Sequence, residues 1–189
     1  LRPLPYADSD RLVVLLQNGK DPVAPATVVD WKKATHSFTD IAAAEYWSGN
    51  LTSGDQPESI LGLRVSAGIF PMLGVAPLIG RVFSAEEDLT GAEHVMVISH
   101  GLWQRRFGGE RSIVGRTVSV DGEPFTVLGV MPPTFQFAPF WATHAEMWIP
   151  LGLAARATNR GAESLRPFAR LRRGVRLQLR FPAPGAEAP

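Results

Sequence analysis

The chain contains no cysteine and only four histidines among its 189 residues. The missing cysteines exclude disulfides, thiolate metal ligands and cysteine nucleophiles, although they do not fix the cellular compartment. No two histidines are placed at a metal-ligand spacing such as H-x3-H; they are His36, His94, His100 and His144. We therefore predict no metal site in this chain.

Long apolar runs are also missing. The longest uncharged apolar stretch, residues 65–80, is interrupted by Pro71 and Pro77 and by three glycines. A bilayer span needs roughly 20 apolar residues that can stay helical, so we expect no transmembrane helix and a chain that is soluble by itself. Residues 1–5 show no signal peptide and are typical of an excised or truncated beginning.

The chain has little net charge. The value of +1 at pH 7 gives no broad field that would attract nucleic acid, and we predict no nucleic-acid partner. The charges are uneven, because residues 156–180 contain eight arginines and a single acid, Glu163. We interpret this stretch as a solvated terminal segment; the alternative is a patch that binds lipid or nucleic acid.

Strand and helix signals alternate along the chain and predict a mixed, α+β fold. Residues 97–133 are typical of a strand, a short helix, a Gly-Gly turn and a hairpin closed by Asp121-Gly122. The two-residue loop would pair Val120 with Glu123 and Val118 with Phe125. Further strands are predicted at residues 11–17, 41–51, 59–65, 95–99, 146–151 and 167–171.

Polar residues that can cap helices mark the helix starts. Thr27 is predicted to cap a helix that carries Trp31 and Phe38 on its core face and ends near Ser37. Ser66 is predicted to cap a short helix ended by Gly74. Two more starts are predicted at the capping-box pair Ser84 and Glu87 and at Ser99.

No combination of residues makes a convincing catalytic site. Ser99 lies beside His100, but neighbouring strand residues point to opposite faces, so a hydrolase using this pair and an acid is a minor alternative. Glu86, Glu87 and Asp88 could bind a cation, yet acids at a helix start more often complement its dipole. The chain lacks the phosphate-loop motif G-x-x-x-x-G-K-[ST], so it does not bind ATP by that motif. We predict neither a catalytic residue nor a cofactor.

The loop that follows the hairpin is rich in aromatic residues. It contains Phe135, Phe137, Phe140 and Trp141. The plainer interpretation is a loop folded over the core. The alternative is a contact surface for a partner or an apolar ligand, since exposed apolar patches tend to be functional. That alternative would make the chain a soluble module that binds a ligand or a peptide.

An ordered series of short motifs resembles the periplasmic core domain of MacB-like ABC-transporter permeases. The motifs are DRLV at residues 10–13, DW at 30–31, NLT at 50–52, RVS at 64–66, LGV at 73–75, GRVF at 80–83, ISHGLW at 98–103, FGG at 107–109, VGR at 114–116 and VMP at 130–132. They span roughly residues 1–174. Their order and spacing are similar to those of the duplicated permeases abundant in Acidobacteria.

The resemblance implies an architecture of two lobes. A split porter-like lobe would comprise residues 1–77 and 160–178, and a small inserted α/β lobe would comprise residues 78–155. Residues 179–189 would form a disordered tail. The Pro- and Gly-rich crossings near residues 74–80 and 151–161 would then serve as hinges between the lobes.

The resemblance also implies a function. The chain would be a non-catalytic extracytoplasmic domain of an inner-membrane protein, and it would couple cytoplasmic ATP hydrolysis to export from the periplasmic side. ATP would act only through a separate nucleotide-binding subunit. Further partners would be a second permease half and a periplasmic adaptor.

The sequence departs from the family pattern after Val175. There the family continues into an amphipathic helix, whereas this chain continues into RLQLRFP and a tail rich in Pro and Ala. We expect a gene fragment, a frameshifted end or a designed sequence. The porter-like lobe would then lack a covering helix, and it would be less stable or would pair with another chain.

Overall fold

The computed structural model describes residue 6 and residues 8–53, 56–89, 94–137 and 144–175. This part of the chain has a mixed α/β fold, as predicted, and its strands form one large sheet. The helices are α1 (Pro25–Ala34), α2 (Ile69–Leu73), α3 (Ala85–Asp88) and α4 (His100–Phe107). The strands are β1 (Leu12–Val14), β2 (Phe38–Leu51), β3 (Glu58–Val65), β4 (Ile79–Gly80), β5 (Val95–Ile98), β6 (Thr117–Val120), β7 (Glu123–Val130), β8 (Met147–Pro150) and β9 (Arg166–Leu171). Within these ranges no helix has the length and apolar character that a bilayer crossing requires.

The strands follow the order β1-β9-β2-β3-β8-β5-β7-β4, and β6 pairs with both β2 and β7. We call β1, β9, β2 and β3 the first strand group, and β8, β5, β7, β6 and β4 the second strand group. These groups hold the strands of the two lobes implied by the resemblance, but the sheet runs from one group into the other. The division into lobes therefore stays a prediction, and residues 179–189 lie outside the described residues.

Two seams join the strand groups. At the parallel seam, β3 pairs with β8 from Gly62 opposite Met147 to Val65 opposite Pro150. At the closing seam, Leu51 at the end of β2 pairs with Val120 at the end of β6. These pairings make β2, β3, β8, β5, β7 and β6 a closed ring of six strands.

The hairpin of β6 and β7 is confirmed to the residue. Val120 pairs with Glu123 and Val118 with Phe125. Asp121 and Gly122 both have positive φ, at 53° and 83°, as a two-residue type I′ turn requires. The turn thereby sets the register that buries Val118 and Val120.

Three of the predicted helix signals are confirmed. The Ser99 hydroxyl accepts a hydrogen bond from the Leu102 amide and caps α4. Ser84 and Glu87 form the complete capping box of α3. Gly74 ends α2 in the left-handed conformation, with φ 70°.

The prediction for α1 was wrong at both ends. The helix begins at Pro25 after Ala24, not at Thr27, because proline is favoured at a first position whose amide needs no helical partner. It ends at Ala34, and Phe38 belongs to β2. Ser66 does not cap α2 either, since its hydroxyl accepts a hydrogen bond from the Ala43 amide.

Buried apolar side chains form three clusters. One covers a sheet face around Phe70 and Trp148. A second receives side chains from all six ring strands and from α4. The third lies between α1 and the opposite face of β2 and β9. Strand β2 is therefore covered on both faces along residues 41–44, which are at most 2% exposed.

We predict that Gly80→Ala destabilises the protein far more than Gly108→Ala. Both glycines have positive φ, at 73° and 60°. A Cβ at Gly80 would lie 2.1 Å from the Leu128 carbonyl oxygen, whereas a Cβ at Gly108 would have no atom within 4 Å. The backbone strain alone costs about 1 kcal/mol, and overpacking adds about 2 kcal/mol at Gly80. Urea unfolding of both variants measures the difference, and equal losses would contradict the close approach of β4 to β7.

Candidate functional site

Glu45, in the middle of β2, is the centre of one ionic network where the strand groups meet. Its carboxylate accepts hydrogen bonds from Arg156 at 2.6 and 3.1 Å and from the Ser164 hydroxyl at 2.6 Å. Arg64 on β3 lies 3.8 Å away. Arg156 and Ser164 belong to the segment that returns from β8 to β9, so this network ties the returning segment to β2.

The electrostatics of Glu45 are those of a structural ion pair. The side chain is only 9% exposed, and burial alone would raise its pKa. Hydrogen bonds from Arg156 and Ser164, and the charges of Arg156 and Arg64, outweigh burial and hold the pKa of Glu45 below its ordinary value. The group is therefore ionised at neutral pH and is poorly suited to proton transfer there.

Arg105 on α4 is the centre of a second network, which spans the parallel seam. It contacts Glu58 at the start of β3 and Glu146 just before β8, each at 2.8 Å. These two hydrogen-bonded carboxylates raise the pKa of Arg105, which stays charged. Its neighbour Arg106 donates to the carbonyl oxygens of Ser53 and Gln56, each at 2.8 Å. Helix α4, which packs against the second strand group, thus binds the turn between β2 and β3 of the first strand group.

The predicted alternative of a hydrolase finds no support around Ser99. Its hydroxyl caps α4 and donates to the Glu146 carboxylate at 3.2 Å. That carboxylate forms an ion pair with Arg105. The His100 ring packs edge-on against Trp103, with ring centroids 5.5 Å apart. Among the described residues, no histidine is hydrogen-bonded to Ser99, so the serine has no neighbouring base to activate it as a nucleophile.

The acids at the start of α3 do not gather around a cation. Glu87 completes the capping box and forms a bidentate ion pair with Arg81, with both contacts at 2.8 Å. The hydrogen bond from Arg81 lowers the pKa of Glu87. Glu86 is exposed, and Asp88 accepts hydrogen bonds from distant backbone amides. Nowhere in the described part do three or more His, Asp or Glu side chains cluster in a way that could hold a metal ion.

The aromatic loop contributes side chains to the core. Phe137 is 1% exposed, and its ring lies 5.9 Å from that of Phe168. Phe135 is half-buried and lies 5.4 Å from the ring of Trp148. Core packing of these two rings agrees with the plainer interpretation of a loop folded over the core, and a contact role for Phe135 and Phe137 stays a prediction. Phe140 and Trp141 lie outside the described residues.

Four arginines of the arginine-rich segment contact the rest of the domain. Arg156 binds Glu45, and Arg160 binds Asp30 at 3.0 Å. Arg170 donates to the Met72 carbonyl oxygen, and Arg172 donates to that of Phe38 at 3.1 Å. These arginines therefore fasten the returning segment and β9 to the rest of the domain.

The family model for the MacB-like periplasmic core domain matches residues 3–179. The chain belongs to this family. The match covers nearly the whole sequence, so it confirms the resemblance drawn from the short motifs. Among curated proteins, none matches the chain significantly.

Solved structures of related domains share the fold. A domain of a protein assigned as a permease in Porphyromonas gingivalis has a TM-score of 0.70 and 17% identity, over 90% of this chain and 79% of that one. The extracellular domain of the noncanonic ABC-type transporter YknZ from Gram-positive bacteria gives 0.62 and 15%, over 86% and 83%. The periplasmic region of MacB from Actinobacillus actinomycetemcomitans gives 0.60 and 16%, over 87% and 68%.

Sequence reasoning missed the networks that join the strand groups of this MacB-like domain. Arg156 and Glu45 are 111 positions apart, and Arg105 and Glu146 are 41 apart. Neither pair has a local signal, because both depend on the pairing of β3 with β8 and on the path of the returning segment. The available hint was the excess of arginine over acid after residue 155, which leaves arginines in need of distant acceptors.

We predict that Glu45→Gln lowers the stability of the domain by about 2 kcal/mol at neutral pH. The loss reflects charge-assisted hydrogen bonds and the unpaired guanidinium of Arg156. Because the folded-state pKa of Glu45 is lowered, its contribution is fully present above the unfolded pKa, near 4.5, and is lost as the pH falls through the folded pKa. Urea unfolding as a function of pH measures this, and the two proteins should converge in acid.

Glu163→Gln is the matched control, since it removes the same charge from an exposed side chain one position before Ser164. It should change stability by less than about 0.5 kcal/mol at any pH. A Glu45→Gln deficit that persists in acid would show that the ionised carboxylate is not what stabilises this network.

Proposed function

We propose that this chain is a non-catalytic extracytoplasmic domain of an ABC-type permease that relays the movement produced by cytoplasmic ATP hydrolysis. The observation that carries the proposal is the family match over residues 3–179. The domain would lie on the periplasmic side of the inner membrane. Its partners would be a nucleotide-binding subunit, a second permease half and a periplasmic adaptor, and ATP would bind only to the nucleotide-binding subunit.

The continuity of the sheet supports a mechanical role. Strand β2 has 14 residues and spans about 45 Å at the rise of an extended strand. It pairs with β9 and β3 of its own group and with β6 of the other. Hydrogen-bonded strands resist extension and shear, so a displacement applied to one strand group reaches the other with little loss.

The crossings between the strand groups support movement of the domain as one body. The resemblance implied hinges near residues 74–80 and 151–161. In the structure, the amides of Leu78 and Arg81 bind carbonyl oxygens of β7, at 2.7 and 2.9 Å. The second crossing is fastened by Arg156 to Glu45. We therefore propose that flexing occurs where the domain meets the membrane helices of the permease, and not between its strand groups.

The proposal predicts two outcomes for spin labels in the assembled permease with its nucleotide-binding subunit. The chain has no cysteine, so Lys33→Cys and Arg111→Cys introduce labels at two exposed positions. The first lies beside the first strand group and the second beside the second strand group. The distance between these two labels within one domain should stay the same in the ATP-bound and nucleotide-free states. The distance between Lys33→Cys labels on the two permease halves should change. Double electron–electron resonance measures both distances.

The control is a nucleotide-binding subunit that cannot bind ATP, with which neither distance should change on adding nucleotide. An unchanged distance between the two permease halves in every nucleotide state would overturn the mechanical role. A changed distance within one domain would instead support a hinge between the strand groups.

A further inference from the structure

Asp88, the last residue of α3, binds backbone amides of two distant segments through its side chain. One carboxylate oxygen accepts a hydrogen bond from the Ala67 amide at 2.8 Å. The other accepts from the amides of Leu151 at 2.8 Å and Gly152 at 3.0 Å. One short side chain therefore collects three backbone donors from two segments that lie more than 80 positions apart in the chain.

One of those segments is the crossing at residues 151–161, and the other lies between β3 and α2. Ala67 follows β3 and precedes α2, which contacts β2 and β9 of the first strand group. Leu151 and Gly152 follow β8, where the chain leaves the second group to return. The amide of Leu151 also binds the Val65 carbonyl oxygen at 3.1 Å, directly beside the parallel seam. Asp88 thus fastens the segment after β3 and the crossing after β8 to α3 at one point.

The surroundings of Asp88 show that backbone dipoles hold this carboxylate. Burial raises the pKa of Asp88 in spite of the three amide donors. The cation that acts on it, Lys32, is itself engaged by Asp40 at 3.0 Å and by the Ile41 carbonyl oxygen at 2.7 Å. A cleft of about 470 Å³ lies beside the carboxylate, between α1, α3 and residues 153–157. The segments that the carboxylate binds therefore border this cleft.

We infer that Asp88 is a conformational pin: its carboxylate keeps the segment after β3 and the crossing after β8 closed against α3, and its loss lets them open locally while the sheet stays folded. The inference deepens the proposed function and rests on it for the role in force relay, because a domain that moves as one body needs the crossing after β8 fastened. The pin itself is a property of this chain and is measurable without the rest of the permease.

Amide hydrogen exchange of the 189-residue chain tests the inference. Asp88→Asn keeps one acceptor oxygen, so either the Ala67 amide or the Gly152 amide loses its acceptor. The amide that loses it should exchange about tenfold faster, since a lost hydrogen bond to a charged group changes an opening equilibrium by about that factor. In Asp88→Ala both amides should exchange faster still. Leu151 should respond less in either variant, because it keeps the Val65 carbonyl oxygen as an acceptor. Amides of β5 and β7 should exchange as in the unchanged chain.

Glu86→Gln is the matched control, because Glu86 is an exposed acid on the same helix and it should leave all these amides unchanged. Exchange in Asp88→Asn that equals the control would overturn the pin. A uniform acceleration across β5 and β7 would overturn it too, since Asp88 would then support global stability only. Neither result depends on spin-label distances in the assembled permease. Failure of this inference can therefore be distinguished from failure of the proposed function.

Discussion

The register of β2 is the constraint on which the rest of the domain depends. Its first half pairs with β9, its second half pairs with β3, and its last residue, Leu51, meets β6. A slip of one residue would turn every side chain to the opposite face. Ala42 and Ala44 would then leave the cluster around Trp148, and Ile41 and Ala43 would leave the cluster under α1. Because both faces are buried, the alternative register would lose two cores at once.

The position of Glu45 follows from that register. The carboxylate comes directly after the run of alanines, where the returning segment crosses the strand and supplies Arg156 and Ser164. Burial of a charge is costly unless partners surround it, and here three donors do so. The Arg105 network is more exposed, at 45% for the arginine side chain, so each of its contacts contributes about 1 kcal/mol or less. The buried network is therefore the stronger of the two fastenings.

Local signals predicted the local structure of this domain and failed beyond it. The Asp121-Gly122 hairpin and the Ser99 and Ser84 caps were correct because each is decided within about six residues. Phe38 was assigned to a helix because its spacing from Trp31 fits a helical period, but pairing of β2 with β9 overrides that preference.

The candidate site was harder to predict for the same reason. The parallel pairing of β3 with β8 joins segments about 85 positions apart, and no local pattern encodes it. The roles of Glu45, Asp88 and Arg105 all depend on that pairing. The family resemblance gave the correct family and fold from scattered motifs. It also implied hinges at the crossings, where the structure has hydrogen bonds to β7 and the Arg156–Glu45 ion pair.

Trp47 packs at both seams between the strand groups. Its ring lies over Gly62 of the parallel seam, where an added Cβ would come within 2.7 Å of the ring. An added Cβ at Gly49 would meet the Val120 side chain of the closing seam at 2.4 Å, with the same ring 3.2 Å away. The indole also packs against Phe125 of β7, with ring centroids 6.0 Å apart. One large side chain of β2 thus lies beside Gly62 of β3 and Phe125 of β7. Since packed interiors transmit strain instead of absorbing it, separation of the strand groups would have to unpack this ring first.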